Sequence, residues 1–98
     1  MIIILPDITV QPNWTVPSQI KKILEEAGEV AEAVALADPV NTVREALDTM
    51  QTCATLINMV TAEYHMDVRQ FVREHEDKLR RKGYLPEFVP SKYDDCPY

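Results

Sequence analysis

Taken in steps of three and four, the apolar residues Ile20, Ile23, Leu24, Ala27, Ala31 and Val34 recur at helical spacing. They predict a first helix from about Val16 to about Ala37, with Pro17 in the first turn, where a missing N–H is harmless. Asp38 then stands as an N-cap and Pro39 as the opening residue of a second helix, expected to run to about His65. So short a link makes the two helices an antiparallel pair. A third helix is signalled at both ends. Asp67 and Gln70 have the spacing of a capping box, and the basic run Lys78, Arg80, Arg81, Lys82 precedes Gly83, a C-cap glycine.

The second helix differs from the other two. From Thr49 to Ala62 it carries no charged residue, and Val43, Ala46, Leu47, Met50, Cys53, Ala54, Ile57 and Val60 cover most of one side, with Leu56 and Met59 elsewhere. A helix that is apolar nearly all round is a buried one. In so short a chain that burial calls for a second subunit. The expected fold class is therefore all-α: an antiparallel helical hairpin plus a third helix, completing a four-helix-bundle-like core through oligomerisation.

Outside the helices the periodicity stops. Residues 1–15 read as an extended arm with turns at Pro6 and Pro12, residues 16–83 as the helical core, and residues 84–98 as a Pro-rich, aromatic tail, all in one domain. Composition supports this organisation. The chain has 98 residues, 46% of them hydrophobic and only 2 glycines, which suits a small, mainly helical globular protein with a thin core.

Charge and cysteine usage narrow the function. A net charge of -6 argues against a protein that grips nucleic-acid backbone, which needs clustered Lys and Arg, and is compatible with gathering divalent cations. The opening "MIIIL" is too short for a signal-peptide core or a membrane span, because Pro6 and Asp7 follow it at once, so no membrane partner is expected. Cys53 and Cys96 make no disulfide framework, and a reduced, cytoplasmic setting is expected.

The candidate chemistry lies in the carboxylates. Glu26 and Glu29 are three apart on the first helix, Glu45 and Asp48 three apart on the second, so each pair projects from one helix face. Counted from the turn near Asp38, Glu29 and Asp48 fall at similar height, with Glu26 and Glu45 within about one helical turn of that level. Four carboxylates converging on one point would repel unless a cation neutralised them, and oxygen-only ligands suit Mg²⁺ or Mn²⁺. Glu25 and Glu32 map to the outer face, where acids ordinarily serve solvation. Other chemistries lack their residues: no Glu-x-x-His for a di-iron bundle, no zinc-spaced cysteines, no glycine-rich phosphate loop and no nucleophile elbow.

"EEAGE" at residues 25–29 followed by "EALD" at residues 45–48 resembles the E-E-x-x-E … E-x-x-D signature of the MazG-like, all-alpha nucleoside triphosphate pyrophosphohydrolases. The closing "KLRRKGY" is similar to the basic end of that family's last core helix. The resemblance implies Mg²⁺-dependent hydrolysis of a nucleoside triphosphate between its α and β phosphates, giving monophosphate and pyrophosphate. It implies Glu26, Glu29, Glu45 and Asp48 as metal ligands and Glu25 as a support of the site or an orienter of the attacking water. Lys78, with Arg81 or Lys82, would meet the phosphates. It further implies a homodimer or homotetramer with the site near a subunit interface.

Two rivals follow from the same residues. Phosphoribosyl-ATP pyrophosphohydrolase is a relative with the same fold, separated by substrate profiling. A non-enzymatic helical oligomerisation module, in which the acids only solvate the hairpin, would show no thermal stabilisation by Mg²⁺.

Overall fold

The computed structural model describes residues 3–85 and contains three helices, with no strand among the described residues. These are α1 (Val16–Ala35), α2 (Pro39–Glu63) and α3 (Val68–Arg81). Beyond Leu85 the expected tail lies outside the described residues, as do Cys96 and the first two residues of the arm. The chain divides after Tyr64 into two compact units, the first holding the arm, α1 and α2, the second holding α3.

In the first unit α1 opens with a capping box that the hydrophobic pattern did not announce. The Thr15 hydroxyl accepts from the Ser18 N–H at 3.1 Å, and the Ser18 hydroxyl accepts from the Thr15 N–H at 2.9 Å. The helix ends at Ala35, two residues earlier than expected. Ala37 adopts a left-handed backbone, φ 53°, and its N–H donates to the Val34 carbonyl while the Asp38 N–H reaches back to the Ala33 carbonyl. This is a Schellman closure with alanine in the place where glycine is usual, at a conformational cost of about 1 kcal/mol. Asp38 caps α2 by accepting from the Asn41 N–H at 3.0 Å, and Pro39 follows as its first residue.

Helices α1 and α2 pack along their lengths as a hairpin. Its antiparallel register is fixed by a buried link near the open end, where the Gln19 side-chain amide donates to the Thr52 carbonyl at 2.9 Å. Among the described residues the buried ones are few and mostly polar: Ala33, Gln19, Thr52 and Thr55. Burial of the threonines is cheap because each hydroxyl donates to its own helix, Thr52 to the Thr49 carbonyl at 2.8 Å and Thr55 to the Gln51 carbonyl at 2.9 Å. Their methyl groups remain for packing.

Many of the larger apolar residues of the first unit stay at the surface, while Ile23, Val30, Leu56 and Met59 are half-buried. Val43, Leu47, Met50 and Ile57 of α2 are exposed, as are Ile20, Leu24 and Val34 of α1; Val43 keeps 60% of its surface and Leu24 68%. Within one chain, α2 is covered by α1 on one side, not all round.

The arm is tied to α2. The Pro6 carbonyl accepts from the Gln51 amide at 2.8 Å, and the Asp7 carboxylate accepts from Asn58 at 3.2 Å. A turn forms at Pro12, closed by the Trp14 N–H on the Gln11 carbonyl, but none forms at Pro6, which instead supplies that acceptor.

In the second unit Asp67 caps α3 by accepting from the Arg69 N–H at 3.0 Å, and the Arg69 guanidinium grips the same carboxylate. The expected capping box does not form, since the Gln70 amide turns outward to Glu74. Gly83, φ 75°, closes the helix as expected, its N–H on the Arg80 carbonyl and the Tyr84 N–H on the Leu79 carbonyl. His65 also has a left-handed backbone, φ 54°, and α2 stops at Glu63, before it.

Candidate metal centre

The hairpin brings three of the predicted carboxylates together. One oxygen from each of Glu26, Glu29 and Glu45 lies within 4.8 Å of the others. Counted from the observed helix ends, Glu29 stands six residues before Ala35 and Glu45 six residues after Pro39, so those two are level. The earlier stop of α1 is why Glu29 faces Glu45 and not Asp48. Asp48, one turn further along α2, is exposed and stands outside the group.

Burial is uneven within the group. Glu29 is exposed, whereas Glu26 retains only 13% of its side-chain surface. Glu26 Oε2 and Glu45 Oε2 are buried without any hydrogen-bond partner, the two such oxygens among the described residues. A buried carboxylate oxygen with nothing to accept from is costly. Glu29 is held above the usual carboxylate range, first by a hydrogen bond shared with Glu45, then by repulsion from the Glu45 charge and by desolvation, while Glu26 and Lys22 pull the other way.

Three clustered carboxylates, two of them with an orphaned oxygen, fit a hard divalent cation and leave room in its shell for water and phosphate oxygens. Softer metals would call for nitrogen or sulfur, which this group lacks.

The other predicted residues are placed as follows. Glu25 is exposed on α1, beside Glu26 in sequence but outside the group. Lys78 and Arg81 lie in the last turn of α3 and Lys82 is its C-cap, in the second unit.

Two features escaped the sequence pattern. Glu32, read as a solvated acid, is exposed, and it also lines a small cavity of about 180 Å³ together with Glu29, Glu45, Asp38 and Asn41. Its three-residue step from Glu29 was the available signal. Lys22 places its ammonium 3.4 Å from Glu26 Oε1. Its four-residue step to Glu26 was visible, but only the burial of Glu26 sets it apart from an ordinary surface pair.

Comparison with known protein families matches residues 15–83 to the MazG nucleotide pyrophosphohydrolase domain. The chain belongs to the MazG family. No curated protein and no solved structure matches it. The match begins at Thr15, the cap of α1, and ends at Gly83, the glycine that closes α3, so it takes in all three helices. MazG membership implies nucleotide pyrophosphohydrolase activity in general and a nucleotide as substrate, in a family that is typically metal-dependent. The described part of this MazG chain has no helix long and apolar enough to cross a membrane.

Proposed function

We propose that this MazG protein is a Mg²⁺-dependent nucleoside triphosphate pyrophosphohydrolase, with Mn²⁺ as the alternative ion. The observation that carries the reading is the pair of buried, unpartnered oxygens on Glu26 of α1 and Glu45 of α2, two members of the group that Glu29 completes. Glu26, Glu29 and Glu45 would hold the ion, with Asp48 as a further ligand once substrate is present. A bound ion supplies neutralising charge for the phosphates and a lowered pKa for coordinated water.

In the reaction, water adds at the α-phosphorus, the bond to the bridging oxygen breaks, and pyrophosphate leaves with that oxygen. The water's proton passes to a carboxylate. Glu25, beside the group in sequence but not one of the three ion-holding acids, is the acid suited to orient the water and take its proton. The family resemblance adds Lys78, Arg81 and Lys82 as phosphate contacts.

A second copy of the chain as cover for the exposed α2 residues completes the reading. Val43, Leu47, Met50 and Ile57 form an apolar strip at alternating steps of four, three and seven, the spacing of a helix–helix seam.

The test is hydrolysis of a nucleotide panel, phosphoribosyl-ATP included, with and without Mg²⁺, reading pyrophosphate against orthophosphate. Pyrophosphate release that needs the ion is expected. Release of none from any member of the panel would overturn the reading.

A further inference from the structure

Lys22 connects two features of the first unit. Its ammonium meets Glu26 of the carboxylate group, and its side chain also lines a groove of about 370 Å³ with Ile8, Trp14, Ser18, Gln19 and Thr55. The groove therefore adjoins the candidate metal centre, with Lys22 on the boundary.

Helix support does not account for the pair. At four-residue spacing an acid placed before a base is the favourable order, and here the base comes first. Nor is it an exposed pair of the usual kind, since Lys22 keeps 58% of its surface while Glu26 keeps 13%. An ammonium drawn to a nearly buried carboxylate is responding to local negative charge, and three carboxylates supply it.

We infer that Lys22 is a displaceable counter-cation: it neutralises Glu26 in the ion-free protein, gives up Glu26 when a divalent ion binds, and turns into the groove to meet the substrate phosphates. The inference rests on the proposed function and adds a coupling to it. The reach is sufficient, because a lysine has four rotatable methylenes and Lys22 already touches both places. One ammonium cannot serve Glu26 and a phosphate equally, so ion and nucleotide assist each other's binding through it.

The groove suits the non-phosphate part of a nucleotide. Trp14 offers an aromatic face, and Ser18, Gln19 and Thr55 offer polar groups at its sides. Stacking there would leave the phosphates pointing along α1 toward Glu26, two helical turns from Ser18.

The experiment titrates Mg²⁺ alone into the chelator-stripped full chain by calorimetry, for wild type, Lys22→Met and Lys22→Arg. Inorganic triphosphate is then titrated at saturating Mg²⁺, followed by the fluorescence of Trp14, the only tryptophan. Circular dichroism checks folding. Lys22→Met is expected to bind Mg²⁺ about three- to tenfold more tightly, since one positive charge is removed beside the ion, and to bind triphosphate more weakly by a similar factor. Lys22→Arg should restore triphosphate binding. Unchanged or weaker Mg²⁺ binding by folded Lys22→Met overturns the inference, and if wild type still releases pyrophosphate the proposed function survives alone. Wild type that binds no Mg²⁺ and releases no pyrophosphate removes both.

Discussion

The two ends of the α1–α2 hairpin bury polar groups in opposite ways. Toward the open end, the Gln19 amide has the Thr52 carbonyl, and the Thr52 and Thr55 hydroxyls have carbonyls of their own helix. Toward the turn, Glu26 Oε2 and Glu45 Oε2 have nothing. The satisfied end contributes to folding, whereas the unsatisfied end weakens the ion-free fold, a cost that the proposed divalent ion would offset. On the proposed function, the difference separates the structural buried polar groups of the helical pair from the functional ones.

The sharpest way to break that comparison is Glu45→Ala. Pyrophosphate release should fall by about a hundredfold or more, because a ligand is lost at the centre of the group, while the ion-free melting temperature should hold or rise. Loss of activity together with a lower ion-free melting temperature would mean that Glu45 also holds the fold. At the other end, Gln19→Ala should cost about 1–2 kcal/mol in denaturant unfolding, through a lost buried hydrogen bond and lost packing, whether or not Mg²⁺ is present.

A smaller effect is expected from pH. Glu29 in the folded chain holds its proton more tightly than in the unfolded chain, so the folded state loses stability as pH rises from the ordinary carboxylate value through the raised one. Ion-free Glu29→Gln should therefore melt higher than wild type at neutral pH and converge with it in acid. Parallel melting curves across that range would remove the contrast. The smallest effect belongs to Thr52→Val, whose hydroxyl bonds only its own helix: within about 1 kcal/mol in denaturant unfolding.

Much of the architecture was legible because it depends on local rules. Asp38, Pro39, Asp67 and Gly83 mark helix ends through chemistry that acts within a few residues. The end of α1 was not legible, because alanine at position 37 adopts a conformation that sequence rules reserve for glycine or asparagine. It bears on the site: counting from Asp38 sets Asp48 level with Glu29, whereas counting from the observed helix ends sets Glu45 there. Lys22 and Glu32 were missed for a different reason. Their spacing is that of any charged helix face, and only what lies beside them distinguishes them, the nearly buried Glu26 for Lys22 and a small cavity for Glu32. The polar interior was equally hidden, since the periodicity of Val43, Leu47, Met50 and Ile57 marks the face turned away from α1.

The link of three residues, Leu36 to Asp38, has a consequence for how this protein tolerates change in length. Surface turns are ordinarily where a chain accepts insertions and deletions most freely. Here each added residue that extended either helix would rotate everything beyond it by about 100°. Glu45 would swing off the face that meets Glu26 and Glu29, although every acid remained in place. A deletion scan that looked only for lost carboxylates would overlook the turn. Its length, though it supplies none of the three grouped carboxylates, is as much a determinant of the proposed metal centre as the glutamates themselves.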